Sequence, residues 1–396
     1  MMMENDRMHY RQLRGIEISE IGIGCYSLSG VYGHKDVAEF RRMLVRAYEQ
    51  GVTLFDTAEG YGDAEQILGE SVRPFRDEVI IATKVGVRSG SKPDLSAEYV
   101  TNACESSLRR LQTDTIDLYQ VHFDDAETPV EETVAALERL KERGLIRHYG
   151  LGHLPMRRVR KYLQWGNPTF MLMELSAVTT DAREALLPFC RRHQLPVIAF
   201  STTGRGLLSG RYGRNVRFPP SDLRHVDPLF QRERLDHGIR VVQRLAAVGQ
   251  RYGKTPAQTA IAWVLAQPGV ACALSGPSTV AHLEENLGAS GWLIARDDLD
   301  AFELFLERER ERLMKVQQRT LEAIACQPLP EDTNEAFTDL LYAIETAVST
   351  GLAAEDVMMP LLHVLFAARD ENDGGAKRTL HDVQEQLGQI VGRAGS

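Results

Sequence analysis

Residues 78–85 read Glu-Val-Ile-Ile-Ala-Thr-Lys-Val, and residues 115–122 read Thr-Ile-Asp-Leu-Tyr-Gln-Val-His. Both stretches are short and rich in apolar residues, and neither alternates strictly between apolar and polar positions. Such runs are typical of parallel strands that are covered on both faces. The segment between them contains an amphipathic stretch, Ser96–Leu111, with the spacing of a helix. Together they predict one strand-helix-strand unit of a parallel sheet.

The same kind of apolar run recurs along most of the chain. The eight strand candidates are Ile18–Tyr26, Thr53–Thr57, Glu78–Val85, Thr115–His122, Ile146–Gly152, Phe170–Ala177, Pro196–Ser201 and Val270–Ser275. Helical patterns lie between them at Asp36–Gln50, Ser96–Leu111, Pro129–Arg143, Asp181–His193 and Thr255–Ala266. Eight such alternations over about 270 residues favour an α/β fold, the (β/α)8 TIM barrel. Count and length alone leave an open doubly wound sheet as the alternative.

Two regions flank this pattern. Met8–Leu13 and Ile16–Glu20 surround Arg14-Gly15, which predicts an N-terminal β-hairpin at the lower end of the barrel. Past residue 296 only helical patterns occur. They cover Asp297–Thr320, Asn334–Thr350, Ala354–Ala368 and a last polar stretch that ends near Val391. The sequence therefore predicts a barrel over residues 1–296 and a C-terminal α-helical appendage over residues 297–396.

The composition is that of a globular protein, since 43% of the 396 residues are hydrophobic and 26% are charged. Acidic residues concentrate in the appendage: residues 297–396 hold 20 acidic and 9 basic residues, whereas residues 1–296 hold 35 and 37. Neither part has the basic stripe that binding to a phosphate backbone requires. We therefore expect no nucleic-acid partner.

Targeting and metal signals are also lacking in the sequence. No apolar run reaches the roughly 18–20 residues that span a bilayer, and residues 1–11 are polar, without the apolar core of a signal peptide. We expect a cytoplasmic protein with no membrane association. The five cysteines are far apart and form no C-x-x-C pair, which favours buried thiols over disulfides or a metal site.

Four groups that handle protons or charge lie at or just behind neighbouring strand ends: Asp56, Tyr61, Lys84 and His122. The active site of a barrel lies at the carboxyl ends of its strands. A free tyrosine, with a pKa of about 10, is a poor acid at neutral pH, and a nearby ammonium lowers that pKa. We therefore predict Tyr61 as a proton donor tuned by Lys84. Asp56 would hold Lys84, and His122 would donate a hydrogen bond to a substrate oxygen.

Each of these residues also has a purely structural explanation. Asp56 could cap a helix, Tyr61 could anchor its loop, and Lys84 could extend its charged end to solvent. His122 could be a hydrogen-bonded core histidine. Four such groups on three successive strand ends nevertheless favour the catalytic interpretation.

Three segments resemble the signature segments of the aldo-keto reductases: Leu-Phe-Asp-Thr-Ala-Glu-Gly-Tyr-Gly at 54–62, Ile-Ala-Thr-Lys at 81–84, and Asp-Leu-Tyr-Gln-Val-His at 117–122. The similarity covers about residues 8–295. Gly-Arg-Gly-Leu-Leu-Ser-Gly at 204–210 resembles the cofactor-clasping loop of the longer-chain branch, which includes the potassium-channel β-subunits. Leu-Glu-Glu-Asn-Leu-Gly-Ala at 283–289 resembles its adenosine-binding helix.

The resemblance implies an NADPH-dependent reduction of a carbonyl, in which Tyr61 protonates the oxygen. The cofactor-binding positions that it implies are His153, Ser201, Gly204, Arg205, Leu207, Ser209, Gly276, Ser278, His282, Glu285 and Asn286. The substrate-lining positions that it implies are Tyr26, Tyr32 and Phe123. It implies nothing about the appendage.

The sequence departs from the family pattern at the nicotinamide and at the 2′-phosphate. Gly152-His153 replaces a Ser-Asn or Ser-Arg pair, and Leu172 replaces a glutamine, so two groups that hold the carboxamide are lost. Many relatives bind the 2′-phosphate with an arginine where this chain has Ser278, Thr279 and His282. We expect NADPH binding with weak discrimination against NADH. Alternatively, Ser278 only caps the following helix.

Two other functions stay open. One is a nucleotide-sensing regulatory subunit, in which the C-terminal helices dock a protein partner. The other is a redox-neutral isomerase or dehydratase that oxidises and then reduces one bound substrate. The two apolar helical stretches of the appendage predict burial within the appendage, against the barrel or in a homo-oligomer.

Overall fold

The computed structural model describes residues 8–87, 92–368 and 373–394. Most of the polar segment 1–11 therefore lies outside the described residues. An antiparallel hairpin comes first, formed by β1 (Tyr10–Leu13) and β2 (Ile16–Ser19). Eight further strands follow: β3 (Ile21–Gly24), β4 (Leu54–Asp56), β5 (Ile80–Val85), β6 (Ile116–Val121), β7 (Ile146–Gly152), β8 (Phe170–Glu174), β9 (Val197–Phe200) and β10 (Val270–Ser275).

The eight strands form a closed parallel barrel in chain order, and β10 pairs with β3 to complete the circle. The predicted TIM barrel is therefore confirmed. Apart from Arg147 and His148 on β7, the eight barrel strands are almost completely buried, which explains why their sequences are apolar runs without alternation. In the β5–β6 ladder Lys84 lies opposite Gln120, so the two side chains share one layer of the barrel.

Nine helices accompany the barrel strands in the described chain: α1 (Val37–Glu49), α2 (Ala64–Val72), α3 (Ala97–Leu111), α4 (Val130–Glu142), α5 (Met156–Trp165), α6 (Leu186–Arg192), α7 (Arg232–Gln250), α8 (Pro256–Leu265) and α9 (Val280–Leu287). Thr255 caps α8 in a reciprocal capping box with Gln258. The helix predicted over Asp181–His193 is instead split into a 3-10 turn, Asp181–Arg183, and α6.

The hairpin closes the amino-terminal end of the barrel, as predicted. Leu13 and Ile18 are fully buried in one apolar cluster with Leu54, Phe170 and Cys272, which lie at or near the beginnings of their strands. The first strand candidate was too long at its start because its first residues belong to this hairpin. Since side chains fill the amino-terminal end of the barrel, polar groups can meet a ligand only at the carboxyl ends of the strands.

The chain divides into two compact units, one of residues 1–211 and 243–298 and the other of residues 212–242 and 299–396. The second unit is helical and contains most of α10 (Arg296–Cys326), together with α11 (Thr333–Ser349), α12 (Glu355–Ala367) and α13 (Asp373–Ala394). α11 packs against α12 and α13. The boundary predicted between residues 296 and 297 stays a prediction, and α10 runs through it.

The helical unit has an apolar core of its own. Leu340 on α11, Leu365 on α12 and Leu387 on α13 are fully buried in it. The unit is therefore folded, as the two apolar stripes predicted. Among the described residues no helix is both long and apolar enough to cross a membrane. Four of the cysteines are buried as expected, whereas Cys326 at the end of α10 is exposed.

Candidate active site

A buried ion pair lies at the carboxyl end of the barrel. The Lys84 ammonium is 2.5 Å from Asp56 Oδ1 and donates to the carbonyl oxygen of Thr57 at 2.7 Å. Only 2% of Lys84 and 5% of Asp56 is exposed. Asp56 Oδ2 accepts a hydrogen bond of 2.7 Å from Gln120 Nε2. Both carboxylate oxygens are thus occupied, and Lys84 does not extend to solvent.

The other two predicted catalytic residues lie beside this pair. The Lys84 ammonium is 5.0 Å from the centre of the Tyr61 ring. The rings of Tyr61 and His122 are 5.9 Å apart and meet edge to face. The structure therefore brings all four predicted catalytic side chains together at one end of the barrel.

The electrostatics differ from the expectation for Tyr61. Burial, followed by the negative charge of Asp56, raises the pKa of Tyr61 well above 10. The predicted net lowering of this pKa by Lys84 is not observed, because burial and the charge of Asp56 both raise it. Burial and the charge of Lys84 hold the pKa of His122 well below 6.5. At neutral pH both side chains are uncharged, and each can donate one hydrogen bond.

The three predicted substrate-lining residues surround these groups. The Tyr26 ring lies 4.8 Å from Tyr61 and 5.9 Å from Tyr32. Phe123 lies 4.5 Å from His122. An aromatic wall therefore adjoins both proton-handling side chains.

His153 belongs to the same wall. Its ring stacks on Phe123 at 4.6 Å and lies 5.0 Å from Phe200, which ends β9. Its backbone has φ of +42°, a left-handed conformation that is uncommon for a residue with a side chain. Burial, then the charges of Lys84 and Arg205, lower the pKa of His153 to about 4. The imidazole is thus neutral and held by stacking. Sequence reasoning missed Phe200, although its place at a strand end was a signal.

The glycine and the leucine that depart from the family pattern lie side by side. Gly152 lies opposite Leu172 in the β7–β8 ladder. A Cβ atom on Gly152 would lie 3.3 Å from the Val121 carbonyl oxygen and 3.4 Å from Leu172. A larger residue here would be crowded. Nearby, Arg205 forms an ion pair of 3.2 Å with Glu174, which ends β8.

The glycine-rich loop after β9 is tightly wound. Ser201, Gly204, Arg205 and Gly206 all have positive φ. The side chain of Leu207 is completely buried, and Ser209 donates its hydroxyl to the Gly206 carbonyl oxygen. The side chains of Leu207 and Ser209 are therefore engaged within the protein. Their backbone N–H groups are engaged as well, since they donate to the carbonyl oxygens of Gly204 and Gly206.

The remaining predicted residues lie around the start of α9. Thr279, not Ser278, caps the helix, since its hydroxyl accepts from the His282 backbone N–H at 3.2 Å. Ser278 is exposed, and its hydroxyl lies 3.4 Å from His282 Nδ1. Gly276 is exposed as well. The alternative that Ser278 only caps α9 is therefore wrong. Asn286 donates to Ser275 Oγ at 2.8 Å.

An arginine that the sequence analysis did not select joins this group. Arg211 contacts the His282 ring and donates to Glu285 Oε2 at 2.7 Å. Burial and the charge of Arg211 lower the pKa of His282. The position of Arg211 directly after the glycine-rich loop was a signal in the sequence that could have identified it. A guanidinium, an imidazole and a hydroxyl thus meet at the first turn of α9.

The comparisons with known proteins agree with this geometry. The model of the aldo/keto reductase family matches residues 20–306. The chain is 33% identical over 294 residues to probable aldo-keto reductase 1 of Glycine max, covering 72% of this chain and 85% of the relative. It is 32% identical to the aldo-keto reductase YhdN of Bacillus subtilis, covering 74% and 91%.

Two solved structures are similar in fold. The glycerol dehydrogenase AKR11B4 of Gluconobacter oxydans superposes with a TM-score of 0.70 at 26% identity, covering 78% of this chain and 97% of that one. The holo form of the aldo-keto reductase AKR11C1 of Bacillus halodurans superposes with a TM-score of 0.63 at 28% identity, covering 75% of this chain and 96% of that one. On its matched sequence and its eight-stranded barrel, this chain belongs to the aldo/keto reductase family.

Proposed function

We propose that this protein reduces the carbonyl of an aldehyde, ketone or sugar to an alcohol with NADPH, and that Tyr61 donates the proton. The observation that supports the proposal is the meeting of Tyr61 and His122 beside the buried Lys84–Asp56 pair. A neutral phenol and a neutral imidazole at one end of the barrel suit a substrate oxygen that gains negative charge.

The roles of the side chains follow from their protonation. Asp56 holds the Lys84 ammonium near Tyr61, where its charge stabilises the tyrosinate that remains after proton transfer. His122 is neutral and donates an N–H to the substrate oxygen. The bound reduced nicotinamide would supply the hydride. The aromatic wall of Tyr26, Tyr32 and Phe123 would contact the body of the substrate.

The cofactor would lie along the carboxyl end of the barrel. The donor set at the start of α9 fits a 2′-phosphate, because a guanidinium can bind it through two hydrogen bonds and Ser278 adds a hydroxyl. The glycine-rich loop would lie against the pyrophosphate. Phe200 and His153 would pack on the nicotinamide. Because Glu285 neutralises part of the Arg211 charge, we infer that NADPH is preferred over NADH only modestly.

The test begins with the purified protein. NADPH and NADH are titrated by fluorescence, and loss of the dihydronicotinamide absorbance is then followed with a panel of aldehydes, ketones and sugars. We expect turnover with NADPH for some of them, and none in Tyr61→Phe. Binding of NADPH without turnover of any carbonyl would contradict the proposal.

A regulatory subunit is the second candidate, and the separate core of the helical unit favours it. In that case the C-terminal helices would bind a protein partner or a second copy of this chain. The cofactor would be a ligand that changes the affinity of this binding. NADPH would then bind tightly, and Tyr61→Phe would leave every measured property unchanged. A redox-neutral isomerase or dehydratase would instead convert its substrate with no net loss of NADPH.

A further inference from the structure

We propose that Gln120 is a positioning residue, which fixes Asp56 so that Lys84 keeps one orientation beside Tyr61. No predicted role included Gln120. The kinetic part of this inference rests on the proposed function, whereas its structural part does not.

The contacts of Gln120 carry the argument. It lies near the end of β6, is completely buried, and faces Lys84 across the β5–β6 ladder. Its Nε2 donates to Asp56 Oδ2 at 2.7 Å, while Lys84 donates to Oδ1 at 2.5 Å. A carboxylate only accepts hydrogen bonds, so the amide must present its N–H group to Asp56 and its oxygen elsewhere.

This orientation has a cost. Gln120 Oε1 is buried and has no hydrogen-bond partner among the described residues. An unpaired buried amide oxygen destabilises a fold, whereas an apolar side chain of equal volume would fill the same space without that cost. Packing therefore does not explain a glutamine at position 120. Its single bond to Asp56 does.

That bond restricts the motion of the ion pair. With both oxygens held, the Asp56 carboxylate cannot rotate about its Cβ–Cγ bond. Two N–H groups of Lys84 are then directed at Asp56 and at the Thr57 carbonyl oxygen, which leaves the third in one orientation. Without Gln120 the carboxylate is free to turn and the ammonium shifts with it. A displacement of about 1 Å in a catalytic group is enough to slow a reaction roughly a hundredfold.

Three variants test the proposal kinetically. Gln120→Met removes the donor at similar length, and we expect kcat to fall about 10- to 100-fold with little change in KM or in NADPH affinity. Gln120→Glu restores a donor only when protonated, so its kcat should recover as the pH is lowered, whereas that of Gln120→Met should not. Gln267→Met is the matched control, because Gln267 is also buried and donates to the Trp263 carbonyl oxygen before β10 begins.

A second readout does not depend on turnover. Ammonium protons of lysine exchange slowly only when buried, so the Lys84 signal can be observed in ¹⁵N-lysine spectra and assigned with Lys84→Met. We expect Gln120→Met to shift or broaden this signal and Gln267→Met to leave it unchanged. If no carbonyl is reduced by the parent protein, the proposed function fails and this spectrum alone decides the inference.

Two results would overturn the inference. One is a Gln120→Met variant with the parent's kcat and the parent's Lys84 signal. The other is an equal loss of kcat in Gln120→Met and Gln267→Met, since it would show that any buried glutamine has this effect.

Discussion

Arg211 donates to Glu285 Oε2 at 2.7 Å across the first turns of α9, and so brings a guanidinium to a place where the sequence offered only serine, threonine and histidine. The Arg211 side chain is 45% exposed, which leaves its guanidinium accessible to a phosphate. Glu285 then competes with that phosphate for the same cation. The preference for NADPH should therefore depend on both residues, in opposite directions.

Arg211→Ala should weaken NADPH binding about tenfold and leave NADH binding nearly unchanged, because only NADPH carries the 2′-phosphate. Glu285→Gln should strengthen NADPH binding, since it removes the competing carboxylate. Isothermal titration with both cofactors measures the two effects. Arg214→Ala is the control, because Arg214 lies in the same loop and pairs with Asp236 instead. Equal losses for NADPH and NADH in Arg211→Ala would contradict this assignment.

The pH dependence of the cofactor preference follows from His282. Burial and Arg211 lower its pKa, so the imidazole is neutral above about pH 6.5 and gains charge only in more acid solution. From pH 7 to 9 the ratio of the NADH and NADPH dissociation constants should be constant. The 2′-phosphate itself titrates near pH 6, so His282→Gln is the reference. The protein and this variant should diverge only below pH 6.5, and divergence at pH 7–8 would contradict the lowered pKa.

Tyr61→Phe should reduce kcat at least 100-fold and leave the NADPH dissociation constant unchanged, because the hydroxyl donates the proton and the ring keeps its contact with Tyr26. Since the pKa of Tyr61 lies well above 10, kcat of the parent for reduction should not fall between pH 7 and 9 through loss of this proton. Tyr48→Phe serves as the control, since Tyr48 lies on α1 and donates its hydroxyl to Glu78. A variant that keeps more than a tenth of the activity would exclude Tyr61 as the donor.

The barrel could be predicted because its strands are buried on both faces, so that each strand is an apolar run. A polar or charged residue near the end of such a run is then conspicuous. Asp56, Lys84 and His122 stand out for this reason. Helix ends were harder to predict. Asp181 resembles an N-cap, yet the chain makes a 3-10 turn there and α6 begins at Leu186. Local capping signals do not show whether tertiary packing lets the helix start at that residue.

The parts of the site that sequence could not supply depend on contacts between distant segments. Gln120 and Asp56 lie on strands that both pair with β5, and Arg211 and Glu285 follow the paired strands β9 and β10. The pKa of Tyr61 shows the same limit. Proximity to Lys84 and its pairing with Asp56 could be inferred from strand ends, but the effect of burial on this pKa is a property of the folded site.

Leu340→Ala tests whether the helical unit owes its order to its own core. Leu340 is fully buried among side chains of this unit, so its truncation should destabilise the unit by about 2–5 kcal/mol. Val364→Ala, on α12, is the control, because Val364 is 42% exposed and its truncation should cost within about 0.5 kcal/mol. Amide hydrogen exchange resolves the effect, since a chain of two units need not unfold in one step. Amides of α11 should exchange much faster in Leu340→Ala than in Val364→Ala, whereas those of β5 and β6 should be unaffected. Equal exchange of α11 in both variants would show that this core does not hold the unit together.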